Sequence, residues 1–396
     1  MGKLWSVISL LRHTPPRRFG CAAGLLSLML APLFAGCGAA KPDGPTAPVV
    51  HPESTASETL RTEMAPSNDD VHRVERLLTE ADAFSASGDP QAAIQRYDQA
   101  IALAPQRVDA FSRRGDCRFG TGALNEALAD YEAALRISPK DARLYIKRAS
   151  VRRLRQQFDQ ALADSSAAIR LDPKSGEAFL FRGNLLLERG RYEASITDYD
   201  AAIHLMANPA LAYCNRGVAY RNMGDLDKAI ADYTAALEHN TEFADAYNNR
   251  GDVLARRGKL GEAIADFSEA IRISPDELQA YENRGDVQFR QKKFELALAD
   301  YSELIRRTLD LAVAGGSNLS PGAKLARVYR KRSATLFRVK RFDEALADAD
   351  EAIRLNPDDA DAYTLRYQLY LEKGRVSEAD ADRQRAASLL LRQLPP

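Results

Sequence analysis

Small and hydrophobic positions recur along this chain with a period of 34 residues. The triplet Asn-Arg-Gly marks the period, because it stands at 215–217, 249–251 and 283–285. Extending this register gives nine units, seven contiguous over 74–311 and two more over 326–393. Self-similarity at such a period is typical of a solenoid in which one supersecondary unit is repeated. Positions 1 to 34 of each unit are counted below from Val74, Val108, Ala142, Gly176, Ala210, Ala244, Leu278, Ala326 and Ala360.

Each unit predicts two helices joined by a tight turn. Position 8 is small in eight units, positions 20 and 27 are mostly Ala, and position 24 is often aromatic. Small residues at a helix crossing let the two backbones approach, and the aromatic ring fills the space beside them. Glycine is frequent at the expected turn, where a positive φ costs little, and proline often follows the second helix. The turn glycines are Gly88, Gly122, Gly190, Gly224, Gly258 and Gly374.

This constellation resembles the tetratricopeptide repeat family over residues 74–393. The resemblance implies an all-α fold in which helix A and helix B of every unit stack into a right-handed superhelix, with helix A lining the concave side. No single unit buries its apolar face alone, so neighbouring units stabilise one another.

A charge pattern is superimposed on the repeat. Eight units carry Arg at position 7 and Asp at position 23, whereas the first unit inverts the two, with Glu80 and Arg96. The paired inversion predicts that positions 7 and 23 touch within one repeat. We therefore expect a ladder of partly buried ion pairs, for example Arg216 with Asp232 and Arg250 with Asp266. Such pairs fix register more than they add stability.

Asparagine marks the predicted groove. Position 6, which the resemblance places in the groove, is Asn215, Asn249 and Asn283 in three consecutive repeats, and Asn184 and Asn248 lie nearby. This resembles the asparagine ladder of the O-GlcNAc transferase superhelix, in which side-chain amides hold an extended peptide. An amide both donates and accepts hydrogen bonds, so it can pair with any peptide unit. The alternative is that Asn is common at position 6 throughout this family, whatever each member binds, and does not indicate a peptide site.

Two helix A segments are strongly basic, 143–155 and 324–341, and neither contains an acidic residue. They are candidates for an acidic partner or anionic lipid, with Arg330 and Lys331 as the residues most expected to make contact. The alternative is that they form solvated helix faces, with some of the arginines used by the ion-pair ladder.

The N-terminus has the layout of an export signal. Four basic residues precede an uncharged run, Phe19 to Ala40, which ends in small residues. The sequence Leu33-Phe34-Ala35-Gly36-Cys37 resembles the bacterial lipobox, although Leu is usual where Phe34 stands, and the resemblance implies acylation of Cys37. The alternative is an uncleaved anchor, since a helix needs about 20 apolar residues to span a bilayer. We expect residues 1–36 to be a signal peptide or anchor, and the body to lie in a bacterial cell envelope outside the cytoplasm.

Two further segments lack the repeat. Residues 37–70 are rich in Pro, Ser and Thr and predict a disordered tether. Residues 312–325 interrupt the array with two Gly-containing turn signals, so we expect an insertion loop there.

The chemistry of the chain points away from catalysis. Fifty-five basic residues balance 55 acidic ones, which gives no global attraction to nucleic acid. The five histidines have no metal-ligand spacing, no phosphate loop or nucleophile motif occurs, and the repeats leave no room for a catalytic domain. We expect no cofactor, no metal and no enzyme. The prediction is a membrane-tethered scaffold that binds a peptide or helix of a partner protein; the alternative is a protein that binds an envelope polymer or anionic lipid through its basic helices.

Overall fold

A computed structural model describes residues 68–313 and 321–392, and within them it contains eighteen α-helices and no strand. The prediction of an all-α fold with two helices per repeat is confirmed. In chain order the helices are α1 Asn68–Ala86, α2 Pro90–Leu103, α3 Val108–Gly120, α4 Leu124–Ile137, α5 Ala142–Leu154, α6 Phe158–Leu171, α7 Gly176–Glu188, α8 Tyr192–Leu205, α9 Ala210–Met223, α10 Leu226–His239, α11 Ala244–Arg256, α12 Leu260–Ile273, α13 Leu278–Arg290, α14 Phe294–Val313, α15 Pro321–Arg338, α16 Phe342–Leu355, α17 Ala360–Glu372 and α18 Val376–Arg392. Odd numbers are helices A and even numbers are helices B.

The chain divides into two compact units. The first ends at Arg191 and contains α1 to α7, and the second begins at Tyr192 and contains α8 to α18. The division falls inside repeat 4, between its helix A and its helix B. Inside each unit, helices that follow one another in sequence pack against one another. Each unit is therefore a stack of helices, and its buried apolar residues form several local clusters between neighbouring helices.

The turn between helices A and B needs a left-handed residue. Six repeats place glycine there, with φ between 72° and 86°. Repeats 3, 7 and 8 instead place Gln156, Lys292 and Lys340 at the same position, with φ of 59°, 62° and 63°. A residue with a Cβ adopts this conformation at some cost, so the packing of the two helices must stabilise the turn.

The crossing of helices A and B depends on a small residue facing a large ring. A Cβ added to Gly115, Gly217, Gly251 or Gly285 would lie 2.8 Å from the aromatic ring at position 24 of the same repeat. Where position 24 is small, position 8 carries a side chain, as in the pairs Ala149 with Ser165 and Ser333 with Ala349. The predicted role of these small residues is thus confirmed, although Ala81 beside Tyr97 shows that a methyl group can be accommodated.

The predicted ion pairs form. Seven repeats join the arginine at position 7 to the aspartate at position 23 at 2.5 to 2.8 Å, including Arg216 with Asp232 and Arg250 with Asp266. Glu80 and Arg96 lie 2.9 Å apart in the same way. Each aspartate is buried, and hydrogen bonding to Asp232 raises the pKa of Arg216.

The same arginines also link successive repeats, which the sequence did not predict. Arg216 reaches Asp200 of the preceding repeat at 2.5 Å, Arg366 reaches Asp350 at 2.7 Å, and Arg284 donates to Ser268 at 2.9 Å. In eight repeats the guanidinium also lies over the aromatic ring at position 4, within 6.0 Å of its centroid. The arginine is therefore held from three sides and connects neighbouring hairpins.

Two predicted boundaries are wrong. Helix α1 begins at Asn68, so the last three residues of the predicted tether, 68–70, are helical. Helix α14 continues to Val313 and α15 begins at Pro321, so helices occupy much of the predicted insertion loop 312–325. Repeat 7 has Leu309 at position 32, where five repeats have a proline after helix B. Repeats 4 and 5 also lack that proline, yet their helices B end at Leu205 and His239, so the missing proline permits the extension of α14 but does not alone account for it. The expected signal or anchor 1–36, Cys37 and the tether up to residue 67 lie outside the described residues.

Candidate partner-binding face

The helices A of the second unit form a row in which positions 5 and 6 meet across each junction. The Asn283 amide on α13 donates to Asn248 on α11 at 3.0 Å, and the Asn249 amide on α11 lies 3.9 Å from the Cys214 sulfur on α9. On the other side of α13, Lys331 of α15 lies 2.7 Å from Glu282. We call the surface formed by α9, α11, α13 and α15 the helix A row.

The predicted asparagine ladder is consecutive, but two of its members do not face solvent. Asn215 is 2% exposed and Asn249 is 5% exposed. The oxygen of Asn249 accepts from Arg221 at 3.3 Å, so this amide is occupied by contacts within the chain. The expectation that all three amides stand open to the groove is therefore wrong for Asn215 and Asn249. Asn184 is likewise buried, in α7 of the first unit.

A shorter chain of amides does reach the surface. Gln279, which is exposed, donates to the oxygen of Asn283 at 3.0 Å, and Asn283 donates to Asn248. Asn248 and Asn283 are each half-buried. Three side-chain amides thus run across the junction of repeats 6 and 7 and retain hydrogen-bonding capacity toward solvent.

Two carboxylates lie beside these amides at the start of the same helices. Asp245 is in the first turn of α11, and Glu277 precedes α13. Burial raises the pKa of Asp245, and burial together with the negative charge of Asp245 raises the pKa of Glu277. Within the described residues neither carboxylate forms an ion pair. This part of the helix A row therefore carries negative charge that the chain itself does not neutralise.

The two basic residues predicted for an acidic partner are occupied within the chain. Arg330 lies 3.0 Å from Asp359 and 3.2 Å from Asp361, and Lys331 lies 2.7 Å from Glu282 and 2.6 Å from Asp286. Burial would raise the pKa of Glu282, but the charges of Lys331 and Arg327 outweigh it and lower that pKa. An acidic partner would have to displace these acids.

The first basic segment is used in the same way. Lys147 pairs with Asp116 at 2.6 Å, Arg152 with Asp164 at 2.7 Å, and Arg153 with Glu188 at 3.6 Å. Of these three cations only Arg152 pairs with an aspartate of the ion-pair ladder, whereas Lys147 and Arg153 pair with acids of neighbouring repeats.

Sequence reasoning missed Gln279, Asp245 and Glu277. The register contained a signal for two of them, because Gln279 and Asp245 stand at position 2, which the family resemblance places in the groove. Carboxylates are so frequent along the repeat that these two did not stand out. Their distinguishing property is the lack of a nearby cation, which only the packed helices reveal.

Other kinds of site are less favoured in the described part of the chain. No group of three or more His, Cys, Asp and Glu side chains there is arranged to hold a metal ion. Over residues 68–313 and 321–392, no helix has both the length and the apolar character needed to cross a membrane.

The family comparison agrees with the architecture. A profile described as "Tetratricopeptide repeat" matches residues 78–142, 214–277 and 334–388, and one described as "TPR repeat" matches residues 183–224. The chain belongs to the tetratricopeptide repeat family, whose members are typically interaction scaffolds without enzymatic activity.

Solved structures are similar in fold. A tetratricopeptide repeat protein from Parabacteroides merdae is 20% identical with a TM-score of 0.52, covering 67% of this chain and 99% of its own. PilF of Pseudomonas aeruginosa is 16% identical with a TM-score of 0.48, covering 58% and 98%. The C-terminal part of a repeat protein from Cytophaga hutchinsonii is 18% identical with a TM-score of 0.49, covering 64% and 98%. No curated protein matches the sequence. Likeness at this identity shows the fold alone.

Proposed function

We propose that this protein is a membrane-tethered scaffold that binds a segment of a partner protein on its helix A row, centred on Asn248, Gln279 and Asn283. The observation that carries the proposal is the chain of surface amides across the junction of repeats 6 and 7. Amides pair with peptide groups regardless of sequence, so they suit an extended or helical segment.

The neighbouring carboxylates specify the chemistry of that segment. A basic side chain of the partner placed between Asp245 and Glu277 would supply the counter-charge that the described residues lack. Burial strengthens such an interaction, because solvent screens it less than at an open surface. The expected partner segment therefore carries a lysine or arginine beside a run of peptide groups that meets the amides.

Tethering is proposed from the N-terminal sequence. The basic residues before the uncharged run Phe19–Ala40, and the lipobox-like sequence that ends at Cys37, support export and attachment at a membrane of the cell envelope. The alternative function, binding of a polymer or lipid by the basic helices, has less support because Arg330, Lys331 and Lys147 are neutralised by neighbouring acids.

The test is a triple substitution, Asn248→Ala with Gln279→Ala and Asn283→Ala, in the full chain. The partner is first captured with wild-type protein and identified, and its affinity is then measured by calorimetry. Each lost hydrogen bond costs about 1 kcal/mol, so the triple variant should bind about a hundredfold more weakly.

A matched variant controls for the loss of amides in general. Gln95, Asn125 and Gln160 are exposed on helices B of the first unit, and their replacement by Ala should leave the affinity unchanged. Thermal melting should show that both variants remain folded. An unchanged affinity in the folded helix A variant, or an equal loss in the control, would contradict the proposed site.

A further inference from the structure

The turns between helices A and B of repeats 6, 7 and 8 form a strongly basic strip. The residues concerned are 256–259, 290–293 and 338–341, and we call them the basic edge. Nine of these twelve residues are Lys or Arg and none is acidic. All nine are exposed: Arg256, Arg257, Lys259, Arg290, Lys292, Lys293, Arg338, Lys340 and Arg341.

Contacts within the second unit place these turns side by side. Arg341 in the turn of repeat 8 lies 3.9 Å from Glu295 at the start of α14 in repeat 7. Arg257 in the turn of repeat 6 lies 2.8 Å from Asp227 at the start of α10 in repeat 5. Because packed helices lie about 10 Å apart, three neighbouring turns present their charges over roughly 20 Å.

The charge of the basic edge is only partly neutralised. The first turns of α12, α14 and α16 contribute Glu262, Glu295, Asp343 and Glu344, and Asp252 and Asp227 pair with Arg256 and Arg257. These six acids leave three positive charges in excess. Among the described residues, Lys292, Lys293 and Lys340 form no ion pair. These three lysines thus differ from Lys147, Arg330 and Lys331 of the two basic helix A segments, which pair with acids of neighbouring repeats.

Helix geometry alone does not require so many cations. The negative end of a helix attracts one basic residue in its last turn. Repeats 1, 2 and 5 have no basic residue at the same positions, 86–89, 120–123 and 222–225. Their helices A carry at most one basic residue in the last turn, Arg118 in α3 and Arg221 in α9. The accumulation in repeats 6 to 8 is thus a property of this part of the chain.

The opposite edge of the same unit has the opposite charge. The connections from helix B to the next helix A at 240–245, 274–279 and 356–361 contain seven acidic residues and no Lys or Arg. Five of these acids pair with four arginines of adjoining helices, which leaves three negative charges in excess. The second unit therefore has a positive and a negative edge, separated by the length of its helices. An anionic surface would attract one edge, repel the other and fix the orientation of the repeats.

Apolar side chains stand among the charges of the positive side. Met223, Leu296, Leu371 and Val376 lie at or next to the A–B turns of repeats 5, 7 and 9, and each is more than 40% exposed. Exposed leucines also occur on the acidic side, as at Leu309 and Leu390, so charge is what distinguishes the two edges. Basic side chains interleaved with exposed apolar ones are typical of a surface that lies on a lipid interface.

We propose that the basic edge of repeats 6 to 8 docks on an anionic lipid surface. The charges stand on turns at the ends of the helices, so a flat layer of headgroups can meet all of them together. Stacking of nucleic-acid bases is disfavoured, because the nearby rings Phe289 and Phe294 are half-buried against each other, with centroids 5.5 Å apart. This proposal does not depend on the partner site of the helix A row.

The test uses the full chain and the variant Lys292→Gln with Lys293→Gln and Lys340→Gln. Repeat 3 has Gln156 and Gln157 in the corresponding turn, so glutamine suits this backbone. Partitioning is measured with vesicles of phosphatidylcholine alone and of phosphatidylcholine mixed equally with phosphatidylglycerol. We compare the ratio of the partition coefficients for the two vesicle types, because this ratio removes the charge-independent contribution of the uncharged run 19–40.

Each lysine near an anionic surface contributes about fivefold to partitioning, so the triple variant should lower that ratio about a hundredfold. The control variant, Arg136→Gln with Lys140→Gln and Lys174→Gln, removes three exposed cations from the first unit and should leave the ratio close to wild type. An unchanged ratio in the lysine variant, or an equal loss in the control, would overturn the proposal. So would binding of soluble polyglutamate with no preference for anionic vesicles, because the occupant would then be an acidic polymer.

Discussion

At the scale of single residues, the helix hairpins depend on size complementarity between positions 8 and 24. In repeat 5, Gly217 faces the ring of Tyr233, which is fully buried. A methyl group there would sit 2.8 Å from the ring carbon Cε1, so the ring or one of the helices would have to move. A close-packed core resists such movement.

Gly217→Ala should therefore lower the free energy of unfolding by about 1–3 kcal/mol, the usual cost of overpacking. Gly261→Ala is the matched control, because a Cβ at Gly261 in α12 meets open space. That substitution should stabilise the protein by up to about 1 kcal/mol, since alanine favours a helix over glycine. Urea unfolding of both variants checks the prediction, and equal stability of the two would show that the ring does not constrain position 8.

The acidic pair of the helix A row predicts an unusual dependence of stability on pH. The folded state raises the pKa of Asp245 and of Glu277, chiefly through burial, so it holds their protons more tightly than the unfolded chain does. Protonation of the two carboxylates stabilises the folded state. This stabilisation is complete at pH values below the pKa of an ordinary carboxyl group, and it is lost as the pH rises through the raised pKa values.

Asp245→Asn combined with Glu277→Gln should accordingly stabilise the protein at neutral pH, and the gain should shrink as the pH falls toward about 4. Glu238→Gln removes an exposed carboxylate from α10, and its free energy of unfolding should equal that of the wild type at every pH. Urea unfolding at several pH values measures these differences. If the double variant gained more free energy of unfolding as the pH fell, the folded protein would instead stabilise the charged forms of Asp245 and Glu277.

The sequence predicted a side-chain contact correctly where the charges at two positions change together. The inverted charges of Glu80 and Arg96 gave the within-repeat pairing, because two positions that exchange sign together must touch. Asn249 was misplaced for a physical reason: position 6 faces the groove in the register, but Cys214 at position 5 of the preceding repeat lies against the amide. Burial of a side chain by the next repeat depends on the spacing of the helices, which the register does not contain.

At the scale of helices, turns and stops explain both the accuracy of the fold prediction and its errors. Small residues at position 8 located eight of the nine hairpins, because a small residue lets the two helices approach closely. Repeat 9 has Tyr367 at this position and still forms its hairpin. The insertion after repeat 7 was predicted as a loop from its glycines, yet α14 runs for 20 residues, through Leu309, where five repeats have a proline. Composition indicates where a chain can turn, but it does not decide how far a helix continues.

Single arginine side chains connect neighbouring helical hairpins. An arginine that binds an aspartate of its own hairpin, a polar group of the preceding hairpin and an aromatic ring links two repeats with one side chain, as Arg284 does. The link to the preceding repeat went unpredicted, since position 25 varies between Asp, Glu, Ser and Thr and shows no constant charge.

At the scale of the whole molecule, a net charge of zero conceals a separation of charge. The sequence balances 55 basic against 55 acidic residues, yet the second unit places basic turns at one end of its helices and acidic connections at the other. Grouping the basic residues by helix pointed to Arg330 and Lys331, which pair with acids of neighbouring repeats. Grouping them by turn identifies the basic edge, and that grouping requires knowing where each helix ends.

The central claim is that the helix A row around Gln279 receives a partner protein. The most direct measurement places a photoreactive amino acid at Gln279 and, in a second protein, at Glu238, an exposed residue of helix B in the same unit. Irradiation of cells that produce each full-length protein should give a discrete cross-linked partner from position 279 that is absent from position 238. The same cross-linked species from both positions, or none from position 279, would contradict the account.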